Sequence, residues 1–289
     1  MSIPQRCLYT LIYAEREHHE EILREVVTPV AGELRDNPEL ESLFFARYNE
    51  PQWQLRFRVL GSAAWVTGPV RDLLSRQLSA LRERGIVRAI EFAVYQREYE
   101  RYGGEEGMRL AEKIFLHDTL ACLDMMEAER CDQASISRRE YSLALSERFL
   151  DLMQLHGEQR LAFYAYGYRW ALEMKTWERA ELDVLEARFR DLKPGLEELF
   201  FGQTSADPVA FWGSRAVADI AVRCLDSSRP VLAAVLEGRA AGRIDQDLVR
   251  LAWSYTHMHC NRLGIDPTAE AILRYLMHRL MQERAPARA

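Results

Sequence analysis

Leu43-Phe44-Phe45-Ala46-Arg47-Tyr48 and Trp53-Gln54-Leu55-Arg56-Phe57-Arg58-Val59-Leu60 flank Asn49-Glu50-Pro51-Gln52, and this stretch decides the fold class. Both runs are rich in aromatic and branched residues, and the polar, proline-bearing link between them is hairpin chemistry with a loop longer than the tightest turns. Two paired strands are expected. Upstream, Cys7 to Ala14 reads as another strand, and Glu15 to Leu34 as a helix carrying Ile22, Val26, Val27 and Val30, with Pro29 as a kink. Downstream, Pro69 to Arg84 reads as a helix ending at Gly85, and Val87 to Tyr95 as a strand bounded by the Gly103-Gly104 break.

From Glu105 onward the periodicity is helical, as in Leu143, Phe149 and Met153 or Leu182, Leu185 and Phe189. Pro194, Asp207-Pro208, Ser227-Ser228, Gly242 and Asp266-Pro267 punctuate this region and read as bends between helices. No repeat or low-complexity linker separates the two parts. The expected fold is α+β: an antiparallel or mixed N-terminal sheet with helices, strand-rich at about 7–102, followed by a predominantly α-helical region at about 105–285. One domain over 1–289 is the simplest organisation.

Of the 289 residues, 48% are hydrophobic and 28% charged, the balance of an ordinary globular chain. The formal charge of -6 argues against a nucleic-acid surface, so direct nucleic-acid binding is not expected. The five scattered cysteines lack CxxC spacing, which points away from a disulfide framework or zinc site and toward a reducing cytoplasm. The first apolar run is cut short by Glu15, so neither a signal peptide nor a membrane span is expected.

Three clusters could carry chemistry. Strand alternation puts Leu55, Phe57 and Val59 on one face and Gln54, Arg56 and Arg58 on the other. Two guanidinium groups so close repel each other and become useful only with an anion between them; the plain alternative is a solvated strand face. In Tyr95-Gln96-Arg97-Glu98-Tyr99-Glu100-Arg101-Tyr102-Gly103-Gly104, a helical turn would let Glu98 hold Arg101, although an exposed ion pair of that spacing is common and weak. Neither phosphate-loop glycine pattern is present, so no nucleotide cofactor is expected.

The third cluster is Ser254-Tyr255-Thr256-His257-Met258-His259-Cys260-Asn261-Arg262 on a helix. Leu248, Ala252, Tyr255 and His259 share one stripe, whereas Arg250, Ser254, His257 and Asn261 share the opposite one. The two imidazoles therefore diverge, which disfavours a metal pair. His259 reads as a core histidine and His257 as the better acid or base. His18, His19, His156 and His278 read as ordinary helix-surface histidines, and His117 with Asp118 as a structural hydrogen-bond pair.

Taken in order, Phe44-Phe45-Ala46-Arg47-Tyr48, Leu55-Arg56-Phe57-Arg58, the Tyr95 to Gly104 stretch and His257-Met258-x-x-Asn261-Arg262 resemble the C-terminal elimination domain of class I lantibiotic dehydratases. The same unit occurs as a free-standing thiopeptide-type bacteriocin biosynthesis protein. The resemblance runs from about Tyr9 to the last helix, and the family often carries His where this chain has Gln54. It implies elimination of glutamate from glutamylated Ser or Thr of a precursor peptide, without cofactor or metal. The glutamyl group would come from a partner enzyme that uses glutamyl-tRNA. Carried over residue by residue, the catalytic set is Arg56, Arg58, Glu98, Arg101 and His257, with Arg47, Asn261 and Arg262 binding substrate. A homodimer is allowed. A second branch of this fold family builds the pyridine core of thiopeptides by aza-cycloaddition with leader release, and a non-catalytic peptide scaffold is a third reading.

Overall fold

The computed structural model describes residues 6–174 and 179–284. Its sheet has four strands, β1 (Cys7–Tyr13), β2 (Leu40–Tyr48), β3 (Gln54–Gly61) and β4 (Ala89–Ala93), in the order β2-β3-β1-β4. Every pairing is antiparallel. The fold is thus α+β, with the sheet at the N-terminal end and helices after it. The hairpin expected from residues 43–60 forms as β2 and β3, with Phe44 opposite Arg58 and Ala46 opposite Arg56. The fourth strand is shorter than the Val87 to Tyr95 run; it sits at the sheet edge, where Glu91 and Phe92 are exposed.

The alternation in β3 has the consequence expected of a half-buried strand. Leu55, Phe57 and Val59 have no exposed surface and join Val27, Val30, Leu74 and Leu78 in the hydrophobic core. Full burial of each such side chain stabilises by roughly 1.5–3 kcal/mol, which fixes the register and commits Arg56 and Arg58 to the other face. The core residues named come from helical stretches α1 (16–34) and α2 (63–83). Each stretch contains a wide π turn, Leu23–Val27 and Val66–Val70. Pro29 and Pro69 explain their placement, because a ring without an N–H cannot continue a regular ladder and an extra residue relieves the clash.

The chain then makes one helical turn, α3 (Tyr99–Tyr102), and enters α4 (Glu105–Arg130) through two glycines with positive φ. At Gly103 a Cβ would lie 2.7 Å from Ile244 and 2.9 Å from Gln246, so the break requires glycine twice over. Helices α5 (Arg138–Leu152), α6 (Gly157–Met174), α7 (Arg179–Phe201), α8 (Pro208–Trp212), α9 (Arg215–Ala240), α10 (Leu248–Leu263) and α11 (Pro267–Arg284) follow. Asp207 and Asp266 cap helices as expected, accepting backbone N–H bonds ahead of Pro208 and Pro267. Pro194 and Ser227-Ser228, by contrast, lie inside α7 and α9 rather than at bends. Packing decides those positions: α9 runs along α4, and Ser228 is buried within it.

Helix α10 is the centre of the arrangement. It touches α3, α4, α5, α6 and β2, and ten of its residues are buried. Asp247 caps its start, and Gly264, in the left-handed region, ends it. The side chain of Asn261 docks α10 onto the free edge of β2. Its Oδ1 accepts from the Arg47 N–H and its Nδ2 donates to the Arg47 carbonyl, both at 2.8 Å, so a side-chain amide completes a ladder position. Among the described residues, no helix is long and apolar enough to cross a membrane.

Candidate functional site

On the polar face of the sheet, Arg58 lies over the rings of Tyr9 at 4.2 Å, Tyr95 at 5.0 Å and Phe44 at 5.4 Å. Arg56 lies over Tyr48 at 3.5 Å and reaches the Glu50 carbonyl at 3.4 Å. Register explains the box around Arg58, since Tyr9 and Phe44 are its cross-strand neighbours in β1 and β3's other partner, β2. Among the described residues neither guanidinium is joined to a carboxylate, and the Nε atoms of both are buried without a hydrogen-bond partner. The anion that would relieve the repulsion between them is therefore not supplied by their own surroundings.

Glu98 and Arg101 meet as the one-turn helix predicts, with Arg101 NH1 donating to Glu98 Oε2 at 2.9 Å. Arg101 Nε also donates to Ser254 Oγ at 3.2 Å, which ties α3 to α10. Arg58, Glu98 and Arg101 line one hollow of about 40 Å³ together with Tyr48, Tyr95 and Met258. A single water needs about 10–15 Å³ on this measure, so the space suits a carboxylate-sized group. A larger cleft of about 920 Å³ adjoins it, lined by Arg101, His257, Arg47, Asn261 and Trp53 among others. Tyr48, Arg101 and Met258 belong to both walls. Arg56 lines neither and approaches only through the Tyr48 ring.

His257 stacks flat on Trp253, with centroids 5.0 Å apart and planes at 8°. Its Nδ1 lies 2.7 Å from Glu270 Oε2 on α11, and Arg274 donates to the other Glu270 oxygen at 3.4 Å. Burial pushes the Glu270 carboxyl up, but His257 and Arg274 outweigh it and hold the group below the ordinary glutamate range. The sequence reading missed Glu270 and Arg274. Their i,i+4 spacing just after Asp266-Pro267 was a visible signal of an ion pair; the register of α11 against α10 was not.

The three residues carried over as substrate contacts separate. Asn261 and Arg47 line the cleft, but the Arg47 guanidinium is engaged by Glu20 at 2.8 Å and by the Arg262 carbonyl at 3.1 Å. Arg262 corrects the expectation outright: it has no exposed surface, and its guanidinium donates to the Phe45 carbonyl at 3.0 Å and to Asp118 at 2.5 Å. A substrate cannot reach it without taking the core apart.

Asp118 also receives His259 Nδ1 at 2.5 Å, so its partner is not His117, and His259 is a buried, paired core histidine. Burial raises the Asp118 carboxyl, yet His259 and Arg262 together hold it below its ordinary value. Asp118, Cys122 and His259 form a group of potential metal donors within 4.8 Å of one another. The chemistry does not suit a cation, because the Arg262 guanidinium already neutralises Asp118 and burial drives the Cys122 thiol well above its ordinary pKa. His19 is a further correction: it is sealed in the core, edge-on to Trp53 at 5.9 Å, and burial, aided by Arg47, pushes it down to about 4.

Comparison with known proteins gives the family and the fold's relatives. The model of the lantibiotic biosynthesis dehydratase C-terminal family matches residues 8–281. Subtilin biosynthesis protein SpaB of Bacillus subtilis is 29% identical over 156 residues, 54% of this chain but 15% of the relative. The tRNA-dependent lantibiotic dehydratase MibB from Microbispora sp. 107891 shares the fold, with a TM-score of 0.72 and 20% identity over 98% of this chain and 28% of that one. The pyridine synthase TbtD from thiomuracin biosynthesis also shares it, with a TM-score of 0.63 and 13% identity over 96% of this chain and 98% of that one. The matched part is 15% of SpaB and 28% of MibB, so this chain spans less than a third of these relatives' length. By the family match over nearly its whole length, the chain belongs to the lantibiotic biosynthesis dehydratase C-terminal family.

Proposed function

We propose that the chain eliminates glutamate from glutamylated Ser or Thr side chains of a ribosomal precursor peptide, leaving dehydroalanine or dehydrobutyrine. The observation that carries this reading is Arg58: a guanidinium lining the small hollow, boxed by aromatic rings and joined to no carboxylate among the described residues. A cation held that way, with Arg101 lining the same hollow, suits a bound anion. In the reaction the Cα–H and Cβ–O bonds break, a Cα=Cβ bond forms, the proton passes to a base and the glutamyl group departs as a carboxylate. Arg58 and Arg101 meet the negative charge that develops on the leaving group, Glu98 fixes Arg101, and Arg56 holds Tyr48 at the junction of the two spaces. His257, lining the peptide-sized cleft beside Arg101, is the proton-transfer group.

A partner enzyme that uses glutamyl-tRNA would supply the substrate, and this chain would handle the peptide rather than the tRNA. The test is incubation with a glutamylated precursor peptide followed by mass spectrometry, where loss of glutamic acid supports elimination. The fold shared with TbtD keeps cycloaddition as a second reading. Ring formation with leader release from a dehydrated, azole-bearing peptide, and no loss of glutamic acid from the first substrate, would select it. Peptide binding without either reaction would leave a scaffold.

A further inference from the structure

We propose that Glu270, braced by Arg274, is a positioning residue that makes His257 a proton acceptor. Glu270 lies on α11 and His257 on α10, and the contact between them is 2.7 Å at Nδ1. Glu270 is 3% exposed and Arg274 is 2% exposed, so the carboxylate has a fixed cationic neighbour behind it and an imidazole in front. An ionised carboxylate offers only acceptor oxygens, so at this distance the imidazole must donate, and Nδ1 carries the hydrogen. The lone pair of the neutral ring is then on Nε2. When Nε2 takes a proton, the resulting imidazolium sits against a buried negative charge, which stabilises it without any rearrangement. Stacking on Trp253 prevents the ring from turning over, so tautomer and orientation are fixed together.

The other charged or titratable groups about the same cleft, among the described residues, are Arg101 on α3, Arg47 and Tyr48 on β2, Arg138 on α5, Arg16, Glu17, Glu20 and the buried His19 on α1, and Asp266 ahead of α11. None of them is joined to His257 as an ion pair, whereas Glu270 is. The bland alternative is that Glu270 and Arg274 serve only to pack α11 against its neighbours. The two roles separate in Glu270→Gln, which keeps the shape and a hydrogen-bond acceptor but removes the charge.

The experiment has two arms. In the first, the imidazole of His257 is titrated by NMR in the folded chain without substrate, and Glu270→Gln should move the titration to lower pH, because the neighbouring negative charge is gone. In the second, which rests on the elimination reading, the variant should lose about 10- to 100-fold in kcat on a glutamylated peptide, with KM within about two-fold and the acidic limb of the pH profile moved to lower pH. Glu270→Asp should restore part of the limb. An unchanged titration in the first arm overturns the proposal whatever the reaction proves to be. A shifted titration with no elimination by the wild type would instead count against the proposed function alone. Should Glu270→Gln not fold, Glu270→Gln with Arg274→Met removes both charges, and the same titration decides.

Discussion

His257 and His259 stand two residues apart on one helix, and each binds a carboxylate through Nδ1 that is in turn held by an arginine. The two triads, His257–Glu270–Arg274 and His259–Asp118–Arg262, are the same chemistry in two settings. In one the imidazole side chain keeps 19% of its surface and borders the large cleft; in the other it keeps 5% and is closed in by α4 and α5. The pairing alone therefore does not mark a reactive histidine. Access does, and the helix supplies it by turning adjacent odd positions to different sides.

Replacing each histidine is the sharpest way to break that comparison. His257→Ala should lower kcat for glutamate elimination by about 10²- to 10⁴-fold, the usual contribution of a positioned acid or base, with a smaller fall in melting temperature than His259→Ala because Glu270 keeps Arg274. His259→Ala should do the reverse, lowering the melting temperature while folded protein keeps its turnover. Matching losses of activity in both variants, measured per folded molecule, would show that exposure is the wrong criterion.

The sealed triad makes a stability prediction of its own. Asp118→Ala leaves Arg262 charged and without its carboxylate in the core, and removing one member of a buried pair typically costs about 3–5 kcal/mol. Urea unfolding measures it, and a loss below about 1 kcal/mol would mean that the triad is not what holds α4 to α10. Arg58→Ala should behave in the opposite sense, because the guanidinium forgoes only ring contacts worth about 0.5–1 kcal/mol. Its effect belongs to the reaction: elimination should fall by about 10²- to 10³-fold and glutamylated peptide should accumulate, as in Arg101→Ala. Full activity in both arginine variants would remove the assignment.

These contrasts show which parts were legible in the sequence. The hairpin was, because period-two alternation around Leu55, Phe57 and Val59 is a local property with one stable outcome. The Glu98–Arg101 contact and the divergence of His257 from His259 were legible for the same reason, each being a matter of spacing within one element. The roles of Arg47, Arg262 and Glu270 were not, because they depend on how β2, α4 and α11 pack around α10. Arg262 shares the polar appearance of Arg58, and only tertiary context puts one in the core against Asp118 and the other beside an open hollow. Pro194 and Ser227-Ser228 misled in the same way, since local breakers yield to packing along a long helix.

His19 offers the smallest test, and the one that isolates what a carboxylate does for a sealed imidazole. It is as buried as His259, yet no ion pair joins it among the described residues, and its pKa falls from the ordinary 6.5 to about 4. Because the folded value lies below the unfolded one, the unfolded chain binds more protons in between, so this group's contribution is complete above pH 6.5 and is lost as pH falls toward 4. The two values predict about 2 kcal/mol less stability at pH 5 than at pH 7 from this side chain. Urea unfolding of the wild type and of His19→Gln at both pH values checks it: the variant should lose most of the difference. An equal pH dependence in both would place its origin in other groups and leave the buried, unpaired histidine without an energetic signature.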